Sequence, residues 1–227
     1  GPPRERWITY RDAMVFNNVV QASGNVFPLS ALMVHGIIKA KDAWDLNVRE
    51  EPPDPGGEAF RHEVRTAMAA GTLLQELYVT PALLEPINWE DLAAGVKWAR
   101  NRTGLLLTSH WVGGSPTKSV YGWVGYRETG EAYLALRNPL TTPATITLAS
   151  TILSRAAPAT TLWTPYPDQR IQSLSLAQAP TDLRLQPHEV LVFDTASDTG
   201  EGRWTLGQVA AAVAAVAAAA WLQLGRA

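Results

Sequence analysis

The sequence predicts an α/β segment followed by an all-β segment and closed by an alanine-rich helix. Three observations carry this reading. Apolar runs of strand length alternate with helix-period stretches over residues 7–108. From about residue 118, short β-rich runs punctuated by Pro and Gly replace them, as in an antiparallel β-sandwich. Residues 206–224 are nearly uncharged and mostly alanine, the best helix former. The expected segments are 1–114, 115–197 and 198–227, with the first boundary falling within 113–118.

In the first segment, Met33-Val34-His35-Gly36-Ile37-Ile38 has buried-strand length and is ended by Lys39. Residues 49–57 are rich in Pro and Gly and read as a loop. Residues 60–70 carry a helical pattern that stops at Gly71, a suitable C-cap. A second strand follows at 73–79, closed by Thr80-Pro81. Asn88 can cap the next helix, with Glu90 and Asp91 in its first turn and Leu92, Val96 and Ala99 at near-helical spacing. Strand and helix alternating in this way imply βα units around a parallel sheet.

In the second segment, residues 120–126 and 131–137 form a hairpin across Glu128-Thr129-Gly130. Further short strands are expected at 145–148, 161–163, 174–176 and 190–193. The tail at 206–224 is long enough to span a bilayer. Alanine contributes little transfer energy, however, and Gly207 and Gln208 weaken a span further. A surface helix is the favoured expectation there.

Composition narrows the function. Of 227 residues, 46% are hydrophobic and 18% charged, as in a core-forming protein. A net charge of −2 offers no basic surplus for a phosphate backbone, which argues against nucleic-acid binding. Without cysteine there is no disulfide framework, thiolate metal site or cysteine nucleophile. No His or carboxylate spacing suggests a metal. Nine Trp and six Tyr suit the faces of sugar rings as well as a core. The start at Gly1-Pro2-Pro3 leads us to expect sequence upstream. Oligomeric state is left open.

Candidate chemistry clusters in the first segment at Tyr10, Arg11, Asp12, His35, Lys39, Asp42, Glu76, His110 and Trp111. Asp12 follows the aromatic run Trp7-Ile8-Thr9-Tyr10 and is expected at a strand's C-terminal end, the catalytic face of a barrel. Capping or pairing with Arg is its structural alternative. Glu76 is a charge inside an apolar run, so it either lines a site or pairs with Arg65 or Lys97. His35 is either a satisfied core residue or a site residue. His110-Trp111 precedes Gly113-Gly114 and suits a cleft rim near the junction.

The segments Phe27-Pro28-Leu29-Ser30-Ala31-Leu32-Met33-Val34-His35-Gly36, Gly71-Thr72-Leu73-Leu74-Gln75-Glu76-Leu77-Tyr78, Lys97-Trp98-Ala99, Ser109-His110-Trp111-Val112-Gly113-Gly114, Tyr121-Gly122-Trp123 and Leu136-Arg137-Asn138-Pro139 occur in that order. Over roughly residues 7–195 the chain thereby resembles the C-terminal part of α-galactosidase (melibiase)-like glycoside hydrolases, closest to an uncharacterised bacterial branch. The resemblance implies the C-terminal portion of a (β/α)8 TIM barrel plus an antiparallel β-sandwich. It also implies retaining hydrolysis of α-linked sugars by two aspartates, with no cofactor. The nucleophilic Asp of such enzymes lies on an earlier strand, outside this chain. Asp12, between Trp7 and Phe27-Pro28, stands where the resemblance puts the acid/base. The family's Ser-Asp pair is here Tyr10-Arg11-Asp12. Tyr10, Arg11, His35, Glu76, His110 and Trp111 become substrate-binding candidates. A carbohydrate is the implied partner, and a periplasmic or extracellular location the implied compartment. By itself this chain is expected to be inactive. The competing expectation is a non-catalytic carbohydrate-binding or structural module built on the sandwich, using Trp123, Tyr126, Tyr133 and Trp163.

Overall fold

The computed structural model describes residues 3–22, 27–40, 54–149, 161–176 and 180–195. The expectations for most of 49–57 and for the tail at 206–224 concern residues outside these. Among the described residues no helix is long and apolar enough to cross a membrane.

The first element is a helix, α1 (Pro3–Val15), followed by a π-helical stretch at Phe16–Gln21. This corrects the expectation of a strand end at Asp12. Pro3 and Glu5 both favour a first helical turn. The buried residues are Arg4, Glu5, Ile8, Arg11, Asp12 and Ala13, and from Arg4 to Ile8 to Arg11 and Asp12 they recur every three to four positions on one face. Four of the six are charged, so no apolar stripe announces the helix.

The next elements follow the expected alternation: β1 (Met33–Lys39), α2 (Glu58–Ala69), β2 (Leu74–Val79) and α3 (Pro86–Asn101). β1 and β2 pair in parallel, with α2 in the connection. Asp54 caps α2 by accepting the N–H groups of Ala59 and Phe60 at 3.0 and 2.9 Å. Gly71 leaves the helix at φ +73°, a conformation that disfavours any side chain. Asn88 is not the N-cap of α3. The helix begins two residues earlier, at Pro86, and Asn88 closes a capping box by accepting the Glu85 N–H at 3.1 Å. A short helix, α4 (Thr103–Leu106), ends this half.

Among the described residues eight antiparallel strands follow: β3 (His110–Gly113), β4 (Tyr121–Tyr126), β5 (Ala132–Arg137), β6 (Ala144–Leu148), β7 (Thr161–Trp163), β8 (Ser173–Ser175), β9 (Thr181–Leu185) and β10 (Val190–Asp194). Six form one sheet in the order β3-β4-β5-β10-β7-β8, and β6 pairs with β9. Sequence reading missed two of them. β3 already belongs to the sheet, which therefore begins before residue 115. β9 alternates exposed Asp182 and Arg184 with buried Leu183 and Leu185, a period-two signal hidden by its charges.

Side-chain alternation along β5 explains the layering. Tyr133 and Ala135 join Phe60, Val64 and Met68 of α2, Trp98 of α3, and Tyr121 and Trp123 of β4 in one core. Leu134 and Leu136 face the other way, into a second core with Leu148, Leu183 and Leu185 of β6 and β9 and Leu191 and Phe193 of β10. The large sheet thus has helices on one face and the small sheet on the other. β5 is buried along its whole length, as expected of a central strand covered on both sides.

Candidate functional site

The parallel pair β1–β2 has one covered and one open face. Gln75 points to the covered side, where its Nε2 donates to the carbonyls of Ala67 (2.8 Å) and Thr72 (3.3 Å). On the open side Met33 lies beside Leu74 and His35 beside Glu76, with Tyr78 two residues further on. Met33, Leu74 and Tyr78 are all exposed.

His35 and Glu76, separate candidates in the sequence, are in contact here. His35 Nδ1 lies 2.6 Å from Glu76 Oε2 and 3.0 Å from the Tyr78 hydroxyl. The Tyr78 hydroxyl donates to the same carboxylate oxygen at 2.5 Å. The hydrogen bonds from Tyr78 and then His35 hold the Glu76 carboxyl below its ordinary value. The acceptance by Glu76 in turn pushes the Tyr78 phenol up. His35 is 60% exposed, so it is not a core histidine. Nor does Glu76 pair with Arg65, which instead donates to Asp168 at 2.5 Å. Tyr78 was missed as a site residue. Its signal was present, because Glu76 and Tyr78 two apart on a strand share a face.

Gly36 makes this pairing possible. A Cβ there would lie 2.5 Å from the Glu76 carbonyl oxygen, at the register shift between His35 and Ile38. We expect Gly36→Ala to push the strands apart and break the His35–Glu76 contact. Loss of NMR cross-peaks between the His35 ring and the Glu76 and Tyr78 side chains, in a protein that stays folded, is the check. Unchanged contacts would refute it.

Arg11 and Asp12 lie in a different place. Both are buried between α1 and the large sheet. Asp12 accepts Arg11 Nε at 2.9 Å on one oxygen and the Tyr121 hydroxyl at 2.5 Å on the other. Arg137, fully buried, donates to the Tyr121 hydroxyl (2.8 Å), Glu5 Oε2 (2.8 Å), Thr9 Oγ1 (3.0 Å) and the Glu5 carbonyl (3.1 Å). Glu5 also contacts His62 Nδ1 at 2.9 Å. Arg4 pairs with Glu63, whose other oxygen accepts the Ile38 N–H at 3.1 Å. Burial pushes the Glu63 carboxyl up despite Arg4 and Arg11. The terminal nitrogens of Arg11 have no acceptor among the described residues. Its side chain shares a cavity of about 10 Å³ with Asp12, Gly36, Thr72, Gln75 and Trp111. That is room for about one water molecule and no sugar.

Burial alone would raise the Glu5 carboxyl, but the hydrogen bond and charge of His62 and the charge of Arg137 hold it below its ordinary value. A depressed carboxyl contributes stability fully above its unfolded pKa and loses it as pH falls through the folded one. We therefore expect the protein to weaken on the acid side of the ordinary Glu range. Urea midpoints of wild type and Glu5→Gln should converge there. A constant gap between the two at all pH values would count against this.

The remaining candidates separate. Tyr10 is 59% exposed and touches only the Trp7 ring among the contacts described, at 6.1 Å between centroids. His110 is exposed on β3, edge-on to Tyr126 at 5.8 Å. Trp111, its neighbour on the opposite face, stacks on Tyr121 at 5.0 Å and walls the Arg11 cavity. Among the described residues no group of three His, Cys, Asp or Glu side chains is placed to hold a metal ion.

No protein-family model matches the chain, and neither does any curated protein. Solved structures do. A Bacillus halodurans protein assigned as an α-N-acetylgalactosaminidase superimposes at a TM-score of 0.57 with 14% identity, over 86% of this chain and 43% of that one. A GH27 β-L-arabinopyranosidase from Geobacillus stearothermophilus gives 0.54 and 12%, over 88% and 44%. A GH36 α-galactosidase from the same organism gives 0.52 and 13%, over 81% and 24%. The fold therefore resembles that of GH27 and GH36 α-galactosidase-like glycoside hydrolases. At these identities the likeness is one of fold, and the chain spans less than half the length of each of these proteins.

Proposed function

We propose that this chain is the C-terminal part of a retaining glycoside hydrolase acting on α-linked sugars, α-galactosidase-like in kind. In this reading β1–α2–β2–α3 are the last units of a (β/α)8 barrel, and the antiparallel sheets are the β-sandwich that follows it. One observation carries it: the parallel pair keeps one face against α2 and presents His35, Glu76 and Tyr78 on the other. In a closed barrel that second face would turn inward. Active sites of such barrels form at the C-terminal ends of the strands, here beyond Lys39 and Val79. A retaining mechanism needs two carboxyl groups roughly 5 Å apart, one attacking the anomeric carbon and one serving the leaving oxygen. The nucleophile belongs to an earlier strand. A carbohydrate is then the partner, and a periplasmic or extracellular setting goes with it.

Asp12 suits this chemistry less well than its sequence position suggested. An acid/base must reach the leaving oxygen, and both Asp12 oxygens are occupied inside the protein. We read it as a scaffold residue. The test is hydrolysis of aryl α-galactosides by the longer parent polypeptide, comparing wild type with Asp12→Asn. The expected result is activity in both, with activated and poor leaving groups affected alike. A loss confined to poor leaving groups would restore the acid/base role. No hydrolysis by the wild-type parent of any aryl α-glycoside would sink the enzyme reading. Trp163, 46% exposed on β7, supports the second reading of a non-catalytic sugar-binding module.

A further inference from the structure

The geometry of the open sheet face points to a paired hydrogen-bond acceptor for two neighbouring hydroxyl groups of a sugar. We propose that Nε2 of His35 and Oε1 of Glu76 form it, with Tyr78 as a positioning residue. The inference rests on the reading of this chain as part of a sugar-cleaving barrel and adds the atoms and polarity of one contact.

The assignment follows from which atoms are already engaged. The Tyr78 hydroxyl donates to Glu76 Oε2 at 2.5 Å, so its proton is committed there. His35 Nδ1 faces that same carboxylate oxygen at 2.6 Å and the Tyr78 oxygen at 3.0 Å, both acceptors toward it. The ring therefore carries its proton on Nδ1, and neutral imidazole then has its lone pair on Nε2. Glu76 Oε1 takes no partner among the described residues and keeps acceptor capacity. The two open atoms belong to side chains directly opposite each other in the ladder. Both accept, so the fitting ligand must donate twice. An anion is disfavoured by the carboxylate, and an apolar group leaves both acceptors unpaired. A diol fits. The Tyr78 ring, exposed on the same face and nearer the C-terminal strand ends, offers apolar surface for the C–H side of a sugar ring.

Tyr78 acts through the other two. It orients the Glu76 carboxylate and, by supplying a second acceptor to Nδ1, biases the His35 tautomer. That gives it a signature that a merely structural tyrosine lacks.

The experiment uses the full chain with ¹⁵N-labelled histidine. Long-range ¹H–¹⁵N spectra of the wild type should show His35 protonated at Nδ1 and bare at Nε2 near neutral pH. Methyl α-galactoside should shift the His35 Nε2 resonance saturably, and its per-O-methylated analogue, which cannot donate, should not. Glu76→Gln should weaken the sugar by about tenfold or more, the scale of losing one hydrogen bond to a charged group. Tyr78→Phe should shift the tautomer toward Nε2–H while circular dichroism stays unchanged. A His35 protonated on Nε2 in the wild type overturns the proposal. So does sugar that moves indole signals and leaves His35 still. If the parent polypeptide hydrolyses α-galactosides while His35 ignores the sugar, this inference fails and the enzyme reading stands. If His35 responds and the parent hydrolyses nothing, the site stands and the enzyme reading fails.

Discussion

Arg137→Met is expected to destabilise the protein by about 3–5 kcal/mol, the range for removing one partner of a buried ion pair. Arg137 is inaccessible to solvent, and its guanidinium gathers Glu5 and Thr9 of α1 and Tyr121 of β4. Truncation leaves the buried Glu5 carboxylate with His62 Nδ1, at 2.9 Å, as its nearest remaining side-chain partner among those described. It also takes one hydrogen bond from Tyr121. Burial raises the Tyr121 phenol far above its ordinary value and Arg137 opposes this, so the hydroxyl stays a neutral donor to Asp12 either way. Arg137→Lys should recover only part of the loss, because an ammonium cannot repeat the planar fork. Urea denaturation followed by tryptophan fluorescence reads both variants. A loss below about 1 kcal/mol for the methionine variant, the scale of a surface pair, would show that the network is far weaker than its geometry implies.

Phe60→Ala should cost a comparable amount, about 3–5 kcal/mol by the usual scale for deleting a buried aromatic ring. Phe60 is fully buried on α2. Its ring lies under two cations, with the Arg4 guanidinium carbon 5.3 Å and the Lys39 ammonium 5.7 Å from its centre. Cation–ring contacts of this kind add about 0.5–1 kcal/mol or more when desolvated. The ring therefore ties α1, α2 and the end of β1 together. Phe60→Leu keeps most of the volume and should lose much less. Equal losses for the two variants would mean that the cationic contacts, not packing, dominate.

How legible was this molecule in its sequence? β1, α2, β2 and the β4–β5 hairpin could be read because their runs are apolar and their stops are plain, at Lys39, Gly71, Thr80-Pro81 and Gly130. α1 could not, because four of the side chains it buries are the charged Arg4, Glu5, Arg11 and Asp12. A reading tuned to hydrophobicity treats charge as solvent-facing, and here charge forms the seam between layers. That error moved Asp12 from a helix to a strand end and gave it a catalytic expectation. β9 was hidden in the same way by Asp182 and Arg184. The candidate site was half legible. His35 and Glu76 stood out as polar residues in apolar runs. Their contact was not readable, since it depends on the register of two parallel strands separated by a helix, which no local pattern encodes. Arg137 and Tyr121 appeared only as parts of the resemblance, with nothing local to mark them as a buried pair.

The core that α2 and α3 share with β4, β5 and β10 has a consequence for modularity. Phe60, Val64 and Trp98 on the helical side find their packing partners in Tyr121, Trp123, Tyr133 and Val192 of the strands. Neither half has a finished interior without the other. A chimera that grafts this antiparallel half onto the helices of a distant relative would inherit mismatched shapes along that whole surface. A change of side-chain volume on one half therefore calls for a compensating change on the other.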